Sequence, residues 1–181
     1  MNVDASVRDQ MLAAVPSLRA FAISLTNDFS AADDLVQETL LRAWSHIDSF
    51  QPGTNLNAWL FTILRNLFHS EYRKQKRQVD DPDGAYVGSL RSLPEQHAHL
   101  EFEDFRKALA KLPPDQKEAL LLVGAEGFSY EDAAQICHVA VGTIKSRVNR
   151  ARVRLAELMD VNETVEIGPD KLIKAAVQQR M

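Results

Sequence analysis

Apolar residues recur at intervals of three and four along most of this chain, and stretches rich in Pro, Gly and acidic residues interrupt the pattern. Leu12, Val15, Leu18, Ala22 and Leu25 form a first buried stripe, which predicts a helix over 7–27 with Pro16 as a local disturbance. Asn27-Asp28-Phe29 is a break. Ser30-Ala31-Ala32-Asp33 then reads as a capping signal that opens a second helix, running to about Ile47. Its apolar set includes Leu35, Val36, Leu40, Ala43 and Trp44, and Asp33, Asp34, Gln37, Glu38 and Arg42 are left on a polar face. Taken alone, that face is simply solvated. The segment 48–55 is rich in turn residues and leads into a long helix, about Leu56 to Arg77. Leu60, Ile63, Leu64 and Leu67 make its core face, while Phe61, Arg65, Phe68 and Tyr72 fall on a neighbouring strip.

The pattern lapses over 78–99, where Asp80-Asp81-Pro82-Asp83-Gly84 and Leu93-Pro94 have the composition of a linker. It resumes with Leu100, Phe102, Phe105, Leu109 and Leu112. Pro113-Pro114 stops that helix and sets the start of the next, roughly Asp115 to Val123. Ser129-Tyr130-Glu131-Asp132 is a hydroxyl followed three residues later by a carboxylate, which predicts a short helix to about Cys137. His138 then stands where a tight turn needs a left-handed residue, a conformation His tolerates better than most side chains. Beyond the turn, Ile144, Val148, Ala151, Leu155 and Leu158 define one apolar face of a helix with no Pro or Gly after Gly142. Its opposite face carries Ser146, Asn149 and Arg150, with Lys145 on the shoulder. Two helices joined by such a turn, the second one basic, make a helix-turn-helix, whose second helix fits the DNA major groove. A last apolar group, Leu172, Ile173, Ala176 and Val177, predicts a short helix between Pro169 and Gln179.

No strand-like alternation persists, so the fold class is all-α: two small helical domains joined by a flexible acidic linker. The divisions fall at 1–78, 79–99 and 100–160, with a tail at 161–181. A hydrophobic content of 45% is enough to pack both cores. The net charge of −4 argues against nucleic acid only if it is spread evenly, and it is not. Residues 65–77 hold five cations and one acid, and residues 142–160 hold five and two, whereas 78–104 hold seven acids against Arg91 alone. Two basic patches therefore flank an acidic stretch, and a ligand meets the patches rather than the total. With one cysteine, Cys137, no intramolecular disulfide can form, which points to a reducing compartment. The start lacks the basic and apolar regions of a signal peptide, and no apolar run approaches the roughly 20 residues of a membrane span. The expected location is cytoplasmic.

Catalytic chemistry finds little to stand on. His97, His99, Cys137 and His138 lack the spacing of a zinc site, and no Gly-rich phosphate loop occurs, so neither metal, cofactor nor enzyme activity is expected. Cys137 reads as a small packed hydrophobe. The aromatic and basic strip of the 56–77 helix leaves two readings open. Its rings either widen the core or stack on single-stranded bases while Arg and Lys follow the phosphates.

Three segments in order resemble the extracytoplasmic-function group of bacterial RNA polymerase sigma factors, within the sigma-70 family. They are Asp33-Asp34-Leu35-Val36-Gln37-Glu38-Thr39-Leu40-Leu41-Arg42-Ala43-Trp44, Asn57-Ala58-Trp59-Leu60-Phe61-Thr62-Ile63-Leu64-Arg65-Asn66, and Val141-Gly142-Thr143-Ile144-Lys145-Ser146-Arg147-Val148-Asn149-Arg150-Ala151-Arg152. The resemblance implies a transcription initiation factor that binds core polymerase at its β′ clamp and β flap, finds promoter DNA and helps melt the −10 element. In the first segment it assigns Asp34, Leu35, Gln37, Glu38, Leu41, Arg42 and Trp44 to core binding. Phe50, Gln51, Asn55, Phe61, Arg65, Asn66, Arg73 and Lys74 are assigned to the −10 element, and Trp59 to the core. Thr143, Lys145, Ser146, Arg147, Asn149 and Arg150 are assigned to the −35 element, with Arg147 serving phosphates or packing. It further implies an anti-sigma factor, in the manner of the alphaproteobacterial general-stress sigma factors, and a chain that is monomeric or paired one-to-one with that inhibitor. A sigma-like decoy that binds the inhibitor but no promoter is the alternative. Retention of Lys145, Ser146, Arg150 and the basic run 73–77 speaks against it. An ordinary helix-turn-helix repressor would leave residues 33–66 without a purpose.

Overall fold

The computed structural model describes residues 5–78 and 100–159, and every regular element among them is helical. The chain divides into two separately packed units, Met1–Arg91 and Ser92–Met181. The acidic linker at 79–99, including His97 and His99, and the tail with its expected helix at 169–179 lie outside the described residues.

The first unit packs α1 (Ala5–Thr26), α2 (Phe29–Ser45) and α3 (Leu56–Gln78) against one another. In α1 the buried residues are Met11, Ala14, Leu18, Phe21, Ala22 and Ile23, and the predicted Leu12 is exposed. Apolar residues occur nearly all round this helix, so periodicity admits two registers; the one that buries the Phe21 ring is adopted. Pro16 does not break the helix, because it lies on the exposed side, where water can satisfy the carbonyl it leaves without a donor. The turn to α2 differs from expectation by two residues. Asn27 takes the left-handed conformation at φ 55°, and Asp28, not Ser30, caps the helix by accepting from the Ala31 N–H at 2.9 Å. Asp33 is thereby free to cross to α1, where Arg19 Nε and Nη2 donate to its two carboxylate oxygens at 2.6 and 3.2 Å. That fork holds the Asp33 carboxyl below, and the guanidinium above, their ordinary pKa values.

In the second unit, α4 (Leu100–Ala110), α5 (Pro114–Leu120) and α6 (Tyr130–Cys137) surround α7 (Val141–Leu158). Pro114 sits at the first position of α5, where its missing N–H costs nothing. The helix expected through Val123 widens instead into a π-helical turn, Leu121–Ala125, which Glu126 N–H closes onto Leu121 O at 3.0 Å. Leu121 and Leu122 are both buried as a result. Lys117 is buried beside them, and loss of hydration lowers its ammonium's pKa. Ile144, Val148, Ala151 and Leu155 of α7 are buried as their spacing predicts.

The helix-turn-helix follows its local chemistry closely. Ser129 Oγ accepts from the Asp132 N–H at 2.9 Å and caps α6. His138 ends α6 in the left-handed region, φ 55° and ψ 44°. A side chain there costs about 1–2 kcal/mol relative to a right-handed residue. His138→Gly is therefore expected to stabilise the second unit by about 0.5–1 kcal/mol after the entropy of a freer unfolded chain is deducted. His138→Val should destabilise it by about 1–2 kcal/mol, since a β-branched residue fits that region worst. Urea unfolding midpoints of the three full-length chains measure both shifts.

Candidate functional site

The six residues predicted to read duplex DNA all stand on the first turns of α7. Because Ile144, Val148 and Ala151 turn inward, Thr143, Lys145, Asn149 and Arg150 are left exposed and Ser146 half-exposed. Arg147 is the exception. Its Nε meets the Asp115 carboxylate of α5 at 3.1 Å and its side chain is 22% exposed, so it braces the recognition helix against its support. The structure thus supports the packing side of the Arg147 alternative. Beside this face lies an open, shallow groove of about 400 Å³ between α5 and α7, lined by Gln116, Asn149, Arg150, Val153 and Arg154 among others. Such a surface suits a macromolecular backbone better than a small molecule, which needs enclosure.

On α2 the buried set is Ala32, Leu35, Val36, Thr39 and Ala43. The opposite side presents Asp34, Gln37, Leu41 and Trp44, at spacings of three, four and three, with Glu38 and Arg42 beside them. Arg42 Nε donates to Glu38 Oε1 at 2.7 Å, an i,i+4 pair that straightens both side chains. Leu41 and Trp44 are 65% and 48% exposed. Leu35 must be removed from the predicted contact surface: at 3% exposure it belongs to the core of the first unit.

The predicted −10 residues come from two places. Phe50, half-buried, follows a 3-10 turn (Ile47–Ser49) and lies with its ring centroid 5.3 Å from that of Trp59. Gln51 is exposed in the loop; its carbonyl accepts from the Thr54 hydroxyl at 2.7 Å, and Gly53 supplies the positive φ of 89° the reversal needs. Asn55 Oδ1 accepts from the Ala58 N–H at 3.1 Å and so starts α3, a structural task the sequence reading did not give it. Along α3, Arg65 is half-buried, Asn66, Arg73 and Lys74 are exposed, and Tyr72 is exposed with its ring stacked on Phe68. Phe61 does not join them. It is 1% exposed with its ring centroid 5.2 Å from that of Phe21, so this ring is packed in the core of the first unit.

Sequence reasoning missed three residues that shape these surfaces: Arg19, Asp115 and Tyr130. Each acts across helices, where spacing along one helix carries no signal. Arg19 also lies over the Phe29 ring at 5.9 Å and pins the start of α2. Tyr130 lies beneath Lys145. Cys137 is buried. Among the described residues no three His, Cys, Asp or Glu side chains gather as a metal site, and no helix is long and apolar enough to cross a membrane.

The sigma-70 region 2 family matches residues 12–78, and the sigma-70 region 4 family matches residues 102–155. The ECF RNA polymerase sigma factor EcfG of Rhodopseudomonas palustris (strain TIE-1) is 66% identical over 177 residues, 98% of each chain. The structure of the sigma factor RpoE in complex with the anti-sigma factor NepR, from Bartonella quintana, is similar with a TM-score of 0.78 and 55% identity. That match covers 86% of this chain and 98% of the other. The PhyRSL–NepR complex of Sphingomonas sp. Fr1 gives a TM-score of 0.62 at 25% identity, covering 88% and 93%.

Proposed function

Because the chain belongs to the extracytoplasmic-function group of RNA polymerase sigma factors, we propose that its two units divide promoter recognition between them. In this division 1–78 binds core polymerase and the −10 element, 79–99 connects, and 100–160 reads the −35 element. The exposed stripe of α2 (Asp34, Gln37, Glu38, Leu41, Arg42 and Trp44) docks on the β′ clamp, and the second unit engages the β flap. Thr143, Lys145, Ser146, Asn149 and Arg150 face the major groove, where the amide and cationic groups meet base acceptors and phosphates. Phe50, Gln51, Arg65, Asn66, Arg73 and Lys74 line the path of the opened −10 strand, with the Phe50 ring available to an unstacked base. The protein has no catalytic step of its own: strand opening draws on binding energy, and nucleotide addition stays with the core enzyme.

We extend to this chain the kind of partner seen with the Bartonella quintana relative, an anti-sigma factor like NepR, and propose that it binds one-to-one. The free chain is a cytoplasmic monomer, and release from the inhibitor during stress is its control, as in the alphaproteobacterial general-stress subgroup. The single observation that carries the reading is the α7 face. Lys145 and Arg150 point outward while the apolar residues pack inward and Arg147 ties the helix to Asp115 of α5. A decoy that only binds an inhibitor would have no use for that arrangement.

Run-off transcription with bacterial core polymerase and a pool of host promoter fragments tests it. Wild type should give discrete transcripts. Arg150→Ala should reduce them roughly 10- to 100-fold, the loss of one base-edge contact worth about 1–3 kcal/mol. Absent transcripts, together with tight capture of a NepR-like inhibitor, would return the decoy reading.

A further inference from the structure

Tyr130 opens α6 immediately after its Ser129 cap, and its side chain is half-buried. The turn at His138 folds the eight-residue α6 back on α7. At about 1.5 Å per residue α6 is only about 12 Å long, so its first residue still reaches the opening turns of α7. There the Lys145 Nζ lies over the Tyr130 ring, 5.8 Å from the centroid. Glu131 and Asp132 follow Tyr130 directly, yet no ion pair among the described residues joins Lys145 to either carboxylate. The ring holds the ammonium instead.

We propose that Tyr130 is a positioning and specificity-determining residue for −35 recognition: its ring aims Lys145 at base acceptors without neutralising it. The inference rests on the reading of α7 as the −35 helix and deepens it. A lysine is a point charge on four rotatable bonds, and it discriminates between bases poorly unless its rotamers are restricted. A carboxylate would restrict them but would also compete with guanine O6 and N7 for the same donors. An aromatic face attracts the cation through its quadrupole and takes none of its N–H groups. The ammonium is thus oriented before DNA arrives and keeps its full charge.

The test is fluorescence anisotropy of the full-length chain on a duplex carrying the −35 element mapped by the run-off transcripts, and on single-base-pair variants of it. Tyr130→Leu should weaken binding roughly two- to fivefold, the scale of a partly exposed cation–π contact. The loss should concentrate at one base pair. Tyr130→Phe should restore affinity, because the ring suffices. In the Lys145→Ala background, Tyr130→Leu should cost nothing further. Additive losses, equal losses on every duplex, or failure of Tyr130→Phe to rescue would overturn the proposal in favour of a phosphate contact by the hydroxyl. Should Tyr130→Leu fail to fold, the wild-type chain still decides, since Lys145 side-chain protons over a ring resonate upfield of an unoriented lysine and their absence there would overturn the idea. Failure of wild type to prefer the −35 duplex over a scrambled one would instead sink the parent reading, and that control is separate from every Tyr130 comparison.

Discussion

Phe61→Ala should remove about 3–5 kcal/mol from the first unit, the range for emptying an aromatic site in a closed core. Domains hold only about 5–15 kcal/mol in total, so such a loss brings α1, α2 and α3 to the edge of unfolding. The reason is the position of the ring. It points inward from α3 beside Leu60 and Leu64, meets Phe21 of α1 at a 45° tilt, and is almost wholly shielded. Hydrogen exchange resolved along the full-length chain is the right measurement, because it reports the first unit apart from the second. Protection should collapse over α1 and α3 and stay intact over α7. Phe61→Leu separates this from a base-stacking role. It retains apolar volume but no ring, so it should fold with modest loss and still support transcription. If Phe61→Leu folds normally yet fails only on duplex promoters, while a pre-melted bubble restores it, the ring contacts a base after all.

That residue also shows how far the sequence could be read. A helix with apolar residues on two adjacent strips has one too many candidates for its inner face. Spacing placed Phe61 beside Arg65 and Tyr72, and only the presence of Phe21 on a neighbouring helix turned it inward. The same ambiguity exchanged Leu12 for Met11 in α1, whereas the spacing of α2 put Leu35 in its apolar set and only the family resemblance moved it to the contact surface. Where the pattern has a single apolar stripe, as in α7, burial followed the spacing at Ile144, Val148, Ala151 and Leu155, and only Leu158, at the helix end, stays half-buried.

Local backbone chemistry was legible at the helix-turn-helix, where the capping hydroxyl accepts from an N–H three residues on, but the equally short cap of Asn55 on the Ala58 N–H went unread. Ser129 and His138 set the helix-turn-helix as their types predict. The start of α2 was misplaced because two short-range caps compete there, and the left-handed Asn27 decides for Asp28. Contacts between helices far apart in sequence, such as Arg19 with Asp33 and Arg147 with Asp115, had no such signature. These contacts orient α2 and α7. The positions of the candidate surfaces were therefore readable, and their bracing was not.

Trp44→Ala should leave folding nearly unchanged and weaken binding to core polymerase by about 2 kcal/mol or more, roughly 30-fold, as hot-spot tryptophans do. Trp44 keeps nearly half its surface in water at the end of α2, and Leu41 keeps more. Two large apolar side chains on one face, rimmed by the Glu38–Arg42 pair, have the make-up of a contact patch with an apolar centre and a polar edge. Burying the indole in a partner returns the largest gain available on this helix, whereas exposed ion pairs contribute about 0–1 kcal/mol. Leu41→Ala should therefore cost less than Trp44→Ala, and Glu38→Gln less again. Because surface substitutions shift stability by only about 0.5 kcal/mol, the thermal midpoint is a clean control. Competition of each variant against labelled wild type for core polymerase gives the ranking. Equal competition by Trp44→Ala would mean that polymerase docks elsewhere on the first unit, and the assignment of the α2 face would fall with it.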